Sequence, residues 1–62
     1  MIVRKLRLQR GWSQDQLATL TGLSVRTIQR IDQGQQPGLE SLKALASVFE
    51  LDVAQLDGTQ QQ

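Results

Sequence analysis

The stretch Gln14–Gly34, read QDQLATLTGLSVRTIQRIDQG, leaves the backbone few choices. Ser13 stands ready to cap a helix, and Gln16 three residues on completes a capping-box pattern. Leu17 and Ala18 then face inward, and the small Ala18 suits a site where a second helix crosses at close range. Gly22 follows the last turn, where a left-handed backbone favours glycine. After the apolar Leu23, Ser24 is placed to cap a second helix, Ile28 and Ile31 give that helix a buried stripe, and Gly34 closes it. The spacing therefore predicts two short helices joined by a tight turn at Gly22. Helix, glycine-containing turn and helix is a plan whose second helix can enter a DNA major groove.

The remaining elements follow from the same signals. Val3, Leu6 and Ile2 share one face of a first helix over roughly 2–9, with Leu8 off that face and Gly11 as the stop. Trp12 lies at the junction of the first two helices. There it either closes the gap under the turn or stacks on a base, and the junction favours the core. Gln35-Gln36-Pro37-Gly38 reads as a loop with Gly38 as the next N-cap. A fourth helix starts near Leu39, with Leu39, Leu42, Leu45, Ala46 and Phe49 at helical spacing and Glu40 in its first turn. Leu51–Leu56 reads as a short fifth helix, with Asp52 as cap and Gln55 at the third helical position. The expected core is Val3, Leu6, Trp12, Leu17, Ala18, Leu23, Ile28, Ile31, Leu42, Leu45, Ala46, Phe49 and Leu56. The expected fold is all-α, five short helices in one domain over 1–57, with 58–62 a disordered tail or the start of a linker.

Composition excludes several functions. With 62 residues there is room for one domain. The chain has neither cysteine nor histidine, which removes disulfides, thiolate metal sites and the commonest general base and metal ligand. Without them catalysis would need paired carboxylates. Glu50 and Asp52, which flank a helix end, read instead as surface and cap, so no enzyme, metal or other cofactor, and no small-molecule substrate, is expected. The N-terminus has no apolar signal-peptide core, and no apolar run approaches the ~20 residues that span a bilayer, so a cytoplasmic protein with no membrane partner is expected. The net charge is only +1. Its distribution is uneven: residues 1–31 set Arg4, Lys5, Arg7, Arg10, Arg26 and Arg30 against Asp15, a net +5. Residues 32–62 set Lys43 against Asp32, Glu40, Glu50, Asp52 and Asp57, a net −4. That asymmetry suits a phosphate-facing surface on the N-terminal half, although charge clusters are often only solvated helix faces.

Taken together, Val3-x-x-Leu6-Arg7, Gly11-Trp12-Ser13-Gln14-x-x-Leu17-Ala18, Gly22-Leu23-Ser24-x-x-x-Ile28-x-x-Ile31-Asp32-x-Gly34, Pro37 and Leu42-x-x-Leu45-Ala46 resemble the Cro and phage-repressor (Xre-type) helix-turn-helix family. The resemblance runs from Val3 to Leu56. It implies a compact, lambda-repressor-like five-helix domain of prokaryotic or phage type that binds double-stranded operator DNA, usually as a homodimer, to regulate transcription as a repressor does. Carried over by position, it assigns Ser24, Val25, Arg26 and Arg30 to base edges, within a recognition helix over about Val25–Gln33. It assigns Gln14 and Thr27 to phosphates, and Arg7 and Asp32 to a salt bridge between helices one and three; Arg10 and Gln35 are expected at phosphates as well. The chain departs from the family in the loop after helix three, where neutral Gln35 and Gln36 stand in place of frequent Lys or Arg, and at Asp32, where Glu is commoner.

The chemistry of the residues points the same way. A guanidinium such as that of Arg26 matches guanine O6 and N7 bidentately, Val25 offers a methyl surface to a thymine methyl, and Arg30 lies one turn beyond Arg26 on the same face. The competing reading is a protein-interaction module of the same fold, such as an antitoxin or corepressor subunit. RNA binding ranks below both, because Trp12 and Phe49 are wanted by the core. For a dimer, the apolar edge around Val53 and Leu56 is the expected contact.

Overall fold

The computed structural model describes residues 2–57, so the tail expected over 58–62 lies outside the described residues. Five helices follow one another: α1 (Val3–Gln9), α2 (Gln14–Thr21), α3 (Val25–Asp32), α4 (Leu39–Phe49) and α5 (Val53–Asp57). Among the described residues there are no strands. The fold is all-α, as expected.

Local chemistry sets nearly every helix boundary. Ser13 accepts the Gln16 N–H at 3.0 Å while its own N–H donates to Gln16 Oε1 at 2.8 Å, a complete capping box. Ser24 caps α3 by accepting the Thr27 N–H at 3.1 Å. The reverse half of a capping box opens α5, where the Asp52 N–H donates to Gln55 Oε1 at 2.9 Å. Gly38 caps α4 with no side-chain hydrogen bond.

The C-termini of α1, α3 and α4 share one device. In α1 the Gly11 and Trp12 N–H groups donate to the carbonyls of Leu8 and Arg7, with Gly11 left-handed at φ +70°. In α3 the Gly34 and Gln35 N–H groups donate to Ile31 and Arg30, with Gly34 at φ +100°. Both are Schellman endings. The α3 ending places Gln33 as a cap, so the helix stops one residue short of the expected Val25–Gln33. Helix α4 ends in the same pattern, the Glu50 and Leu51 N–H groups donating to Ser47 and Ala46, but its left-handed residue is Glu50 at φ 60°. No glycine marks that stop in the sequence.

The core contains Val3, Leu17, Ala18, Ile28, Ile31, Leu42, Leu45, Ala46, Phe49 and Leu56. Helix α2 packs on α3 and α4, α1 on α3, and α5 on α4. Three residues expected in the core, Leu6, Trp12 and Leu23, are instead half-buried at its rim. Leu8 is exposed, in keeping with its position off the α1 core face. Leu39 belongs to the helical stripe of α4 by spacing yet is 61% exposed, because it occupies the first position of the helix, beyond the reach of the core. A second correction bears on assembly. Leu56, expected both in the core and on an apolar edge facing a partner, is fully buried within its own domain, in keeping with the first expectation and not the second, and Val53 packs half-buried beside it. Residues on a helix that short serve first to close the core under α4.

Replacing Glu50 by glycine should stabilise the domain by about 0.5–1 kcal/mol. This is the left-handed penalty of about 1–2 kcal/mol less the extra unfolded-state entropy of glycine. Urea unfolding of the two proteins checks it, and a lowered midpoint for Glu50→Gly would contradict it.

Candidate nucleic-acid interface

The α2–α3 turn is built tightly enough to fix the angle between the two helices. The Gly22 N–H donates to the Ala18 carbonyl at 2.9 Å, with Gly22 left-handed at φ +76°. Thr21 Oγ1 donates to the Leu17 carbonyl at 2.8 Å and accepts the Leu23 N–H at 3.2 Å, bracing the turn from both sides. A Cβ built on Gly22 would meet nothing within 4 Å, so the glycine serves backbone conformation and not close approach.

With α3 held by Ile28 and Ile31, its opposite face is exposed and carries Arg26, Gln29, Arg30 and Gln33. These positions follow the i, i+3, i+4, i+7 spacing of one helical face. The face presents two cations, two amides and no carboxylate, so it offers hydrogen bonds without repelling a polyanion. The sequence-based assignment picked out Arg26 and Arg30 but passed over Gln29 and Gln33. Their spacing from Arg26 was the available signal.

The other expected contact residues are placed less freely. Ser24 and Thr27 have their hydroxyls 2.9 Å apart, so both are engaged at the start of α3. Val25 is half-buried against the core, which leaves only part of its side chain for a thymine methyl. Gln35 is exposed. With Thr27 and Arg30 it lines a small cleft of about 160 Å³ between α3, the following loop and the start of α4.

Arg10, expected at a phosphate, has a different set of partners. Its guanidinium lies over the rings of Trp12 and Phe49, 5.6 and 5.0 Å from their centroids, and Nη2 donates to the Phe49 carbonyl at 3.4 Å. The two rings stack at 5.7 Å between centroids with 29° between their planes. Cation–π attraction and the carbonyls at the end of α4 hold the charge there. The geometry gives Arg10 a place clamping the α1–α2 junction onto α4, with its side chain still exposed. It also answers the question of Trp12, whose ring is taken up by packing.

Arg7 and Asp32 join helices 25 residues apart in sequence, with Nη2 3.0 Å from Asp32 Oδ2 and side chains only 10% and 8% exposed. Arg7 Nη1 also donates to the Trp12 carbonyl at 2.8 Å. Gln14 Nε2 donates to the same Asp32 oxygen at 2.8 Å, so the side chain expected at a phosphate braces the end of α3. The bridge is monodentate. Among the described residues, Arg7 Nε, a donor, and Asp32 Oδ1, an acceptor, are buried with no hydrogen-bond partner.

A capped helix, a glycine turn, a crossing helix with a cationic and amide face, and two helices closing the core behind it together define a helix-turn-helix domain. A family model described as helix-turn-helix matches residues 3–56. The chain belongs to that family, the Xre-like, Cro-type helix-turn-helix proteins, a family of DNA-binding transcription regulators. No curated protein and no solved structure is significantly similar to the chain. Among the described residues no helix is long and apolar enough to cross a membrane.

With both charges of the Arg7–Asp32 pair withdrawn from water, removing one partner strands the other. Arg7→Met or Asp32→Leu alone should each cost about 3–5 kcal/mol, and the double replacement should recover a large part of the loss. A double-mutant cycle in urea measures this. Additive single-variant costs, with no coupling, would show that the pair contributes no stability.

Proposed function

We propose that this chain regulates transcription, as a repressor does, by binding a specific double-stranded DNA site with α3 in the major groove. The observation that carries the reading is the exposed α3 face of Arg26, Gln29, Arg30 and Gln33, which holds two cations and no carboxylate and stands on a turn that fixes its orientation. Arg26, on the first turn, reads a base edge, most simply guanine through O6 and N7, and Arg30 reads one turn further along. Ser24 and Val25 approach base edges at the start of the helix. Thr27 and Gln35 border one side of α3 and meet a phosphate, and Gln14 meets one from the N-terminus of α2 while bracing Asp32. The site of action in this reading is the cytoplasm of a prokaryotic cell.

One domain reads only a few base pairs, so we further propose that two copies bind symmetrically. Selection from random duplexes should return inverted repeats with half-site centres about 10–10.5 base pairs apart. Recovery of isolated half-sites, saturated by a single protein, would rule out the symmetric pair.

Readout and positioning separate under mutation. Arg26→Ala should lose about 1–3 kcal/mol on the best site and relax preference at one base pair. Gln14→Ala should weaken all sequences by a similar factor and leave the salt slope nearly unchanged, because an uncharged side chain releases no counterion. Affinities for the selected site and its single-base variants at two salt concentrations make the comparison. An equal loss on every variant for Arg26→Ala would make Arg26 a phosphate contact.

A further inference from the structure

Helix α3 stands as a ridge between two clefts of unequal character. On the α4 side, the small cleft is lined by Thr27, Gln35, Gly38 and Ser41 together with the flank of Arg30. On the α1 side, a cleft of about 520 Å³ is lined by Arg4, Arg7, Gln14, Gln29, Asp32 and Gln33. Three of those six side chains are charged. Arg7 and Asp32 neutralise each other in a nearly buried pair, so the net charge of the cleft is that of Arg4. Arg4 is exposed and makes no hydrogen bond or ion pair among the described residues. Its position follows from α1 itself, because Arg4 lies one turn before Arg7 and Arg7 is fixed by Asp32.

Resting on the reading that α3 enters the major groove, we propose that Arg4 is a positioning residue that holds a phosphate of the strand bordering α3 on its α1 side. A helix with its side chains is about 10–12 Å across and the major groove about 12 Å wide, so the two flanks of a seated α3 lie against opposite backbones. Packed helices have axes about 8–10 Å apart, which sets a side chain on α1 back from the ridge and beside the groove. A cation at that place meets the backbone before it meets a base edge. A guanidinium also matches two phosphate oxygens at once. The two flanks then anchor by different means: the α1 side through a charge, the α4 side through uncharged groups alongside Arg30.

The test compares the intact chain with Arg4→Ala, Arg4→Lys and Lys43→Ala, binding the selected duplex and a scrambled duplex across a salt series. Lys43 is an exposed cation on α4 that lines neither cleft, and it controls for the loss of one charge anywhere. For each bound copy, Arg4→Ala is expected to weaken binding about tenfold at low salt, by a similar factor on both duplexes, and to lower the slope of log K against log salt by about 0.9. Arg4→Lys is expected to restore the slope, and Lys43→Ala to leave it within a small fraction of wild type. The proposal is overturned if Arg4→Ala leaves the slope unchanged, if Lys43→Ala lowers it equally, or if the loss is confined to the selected duplex. Failure of the wild-type chain to bind any duplex would instead overturn the DNA-binding reading itself, and Arg4's role with it.

Discussion

A single carboxylate oxygen organises the N-terminal three helices. Asp32 Oδ2 accepts from Arg7 on α1 and from Gln14 at the start of α2, while Arg7 ties down the carbonyl of Trp12 in the connection between them. Asp32 sits in the last turn of α3, where the helix dipole is unfavourable to an anion, and these donors offset it. The gain is positional. The end of α3, the first turn of α2 and the middle of α1 are referred to one point, and the exposed face of α3 inherits that rigidity. Gln14 thereby has two duties, because the amide that braces Asp32 also lines the cleft beside the helix.

The C-terminal half serves a different purpose. Helices α4 and α5 supply Leu42, Leu45, Ala46, Phe49 and Leu56, half of the buried apolar side chains among the described residues, and residues 39–57 hold four of the six acidic residues. Their task is to give a short chain enough core to hold α2 and α3 in place, which an isolated helix pair of this length could not do. Charge is segregated along the same division: six of the seven cations fall within residues 1–31, and five of the six carboxylates within residues 32–62.

What was legible in the sequence was what short-range chemistry decides. Ser13 with Gln16, Ser24, Gly11, Gly22 and Gly34 each act within a few residues of themselves, and all five helices are recognisable from such marks and from apolar spacing. The features that the sequence does not disclose share a cause in long-range packing. Glu50 adopts a left-handed backbone because Leu51 must turn back toward the core, and no residue type announces it. Arg10 is drawn to the Phe49 carbonyl 39 residues away, a contact that no local pattern contains. Leu56 fits both a core position and an apolar edge by sequence, and only packing decides that it is buried under α4. In the candidate site, the face of α3 could be read in outline, and Gln29 and Gln33 could have been added from spacing alone. That Gln14 spends its amide on Asp32, and that Arg4 is left as the unpaired cation of its cleft, needed the fold.

The stacked pair of Trp12 and Phe49 beneath Arg10 gives the domain an optical property. Trp12 is the only tryptophan, and its ring reports on one seam, where the α1–α2 junction meets the end of α4. The exposed face of α3 draws on other residues. Its emission is therefore a gauge of whether the C-terminal helices are docked on the N-terminal three, separate from whatever α3 is touching. A chain with one chromophore at the joint between its two halves carries a built-in indicator of their assembly.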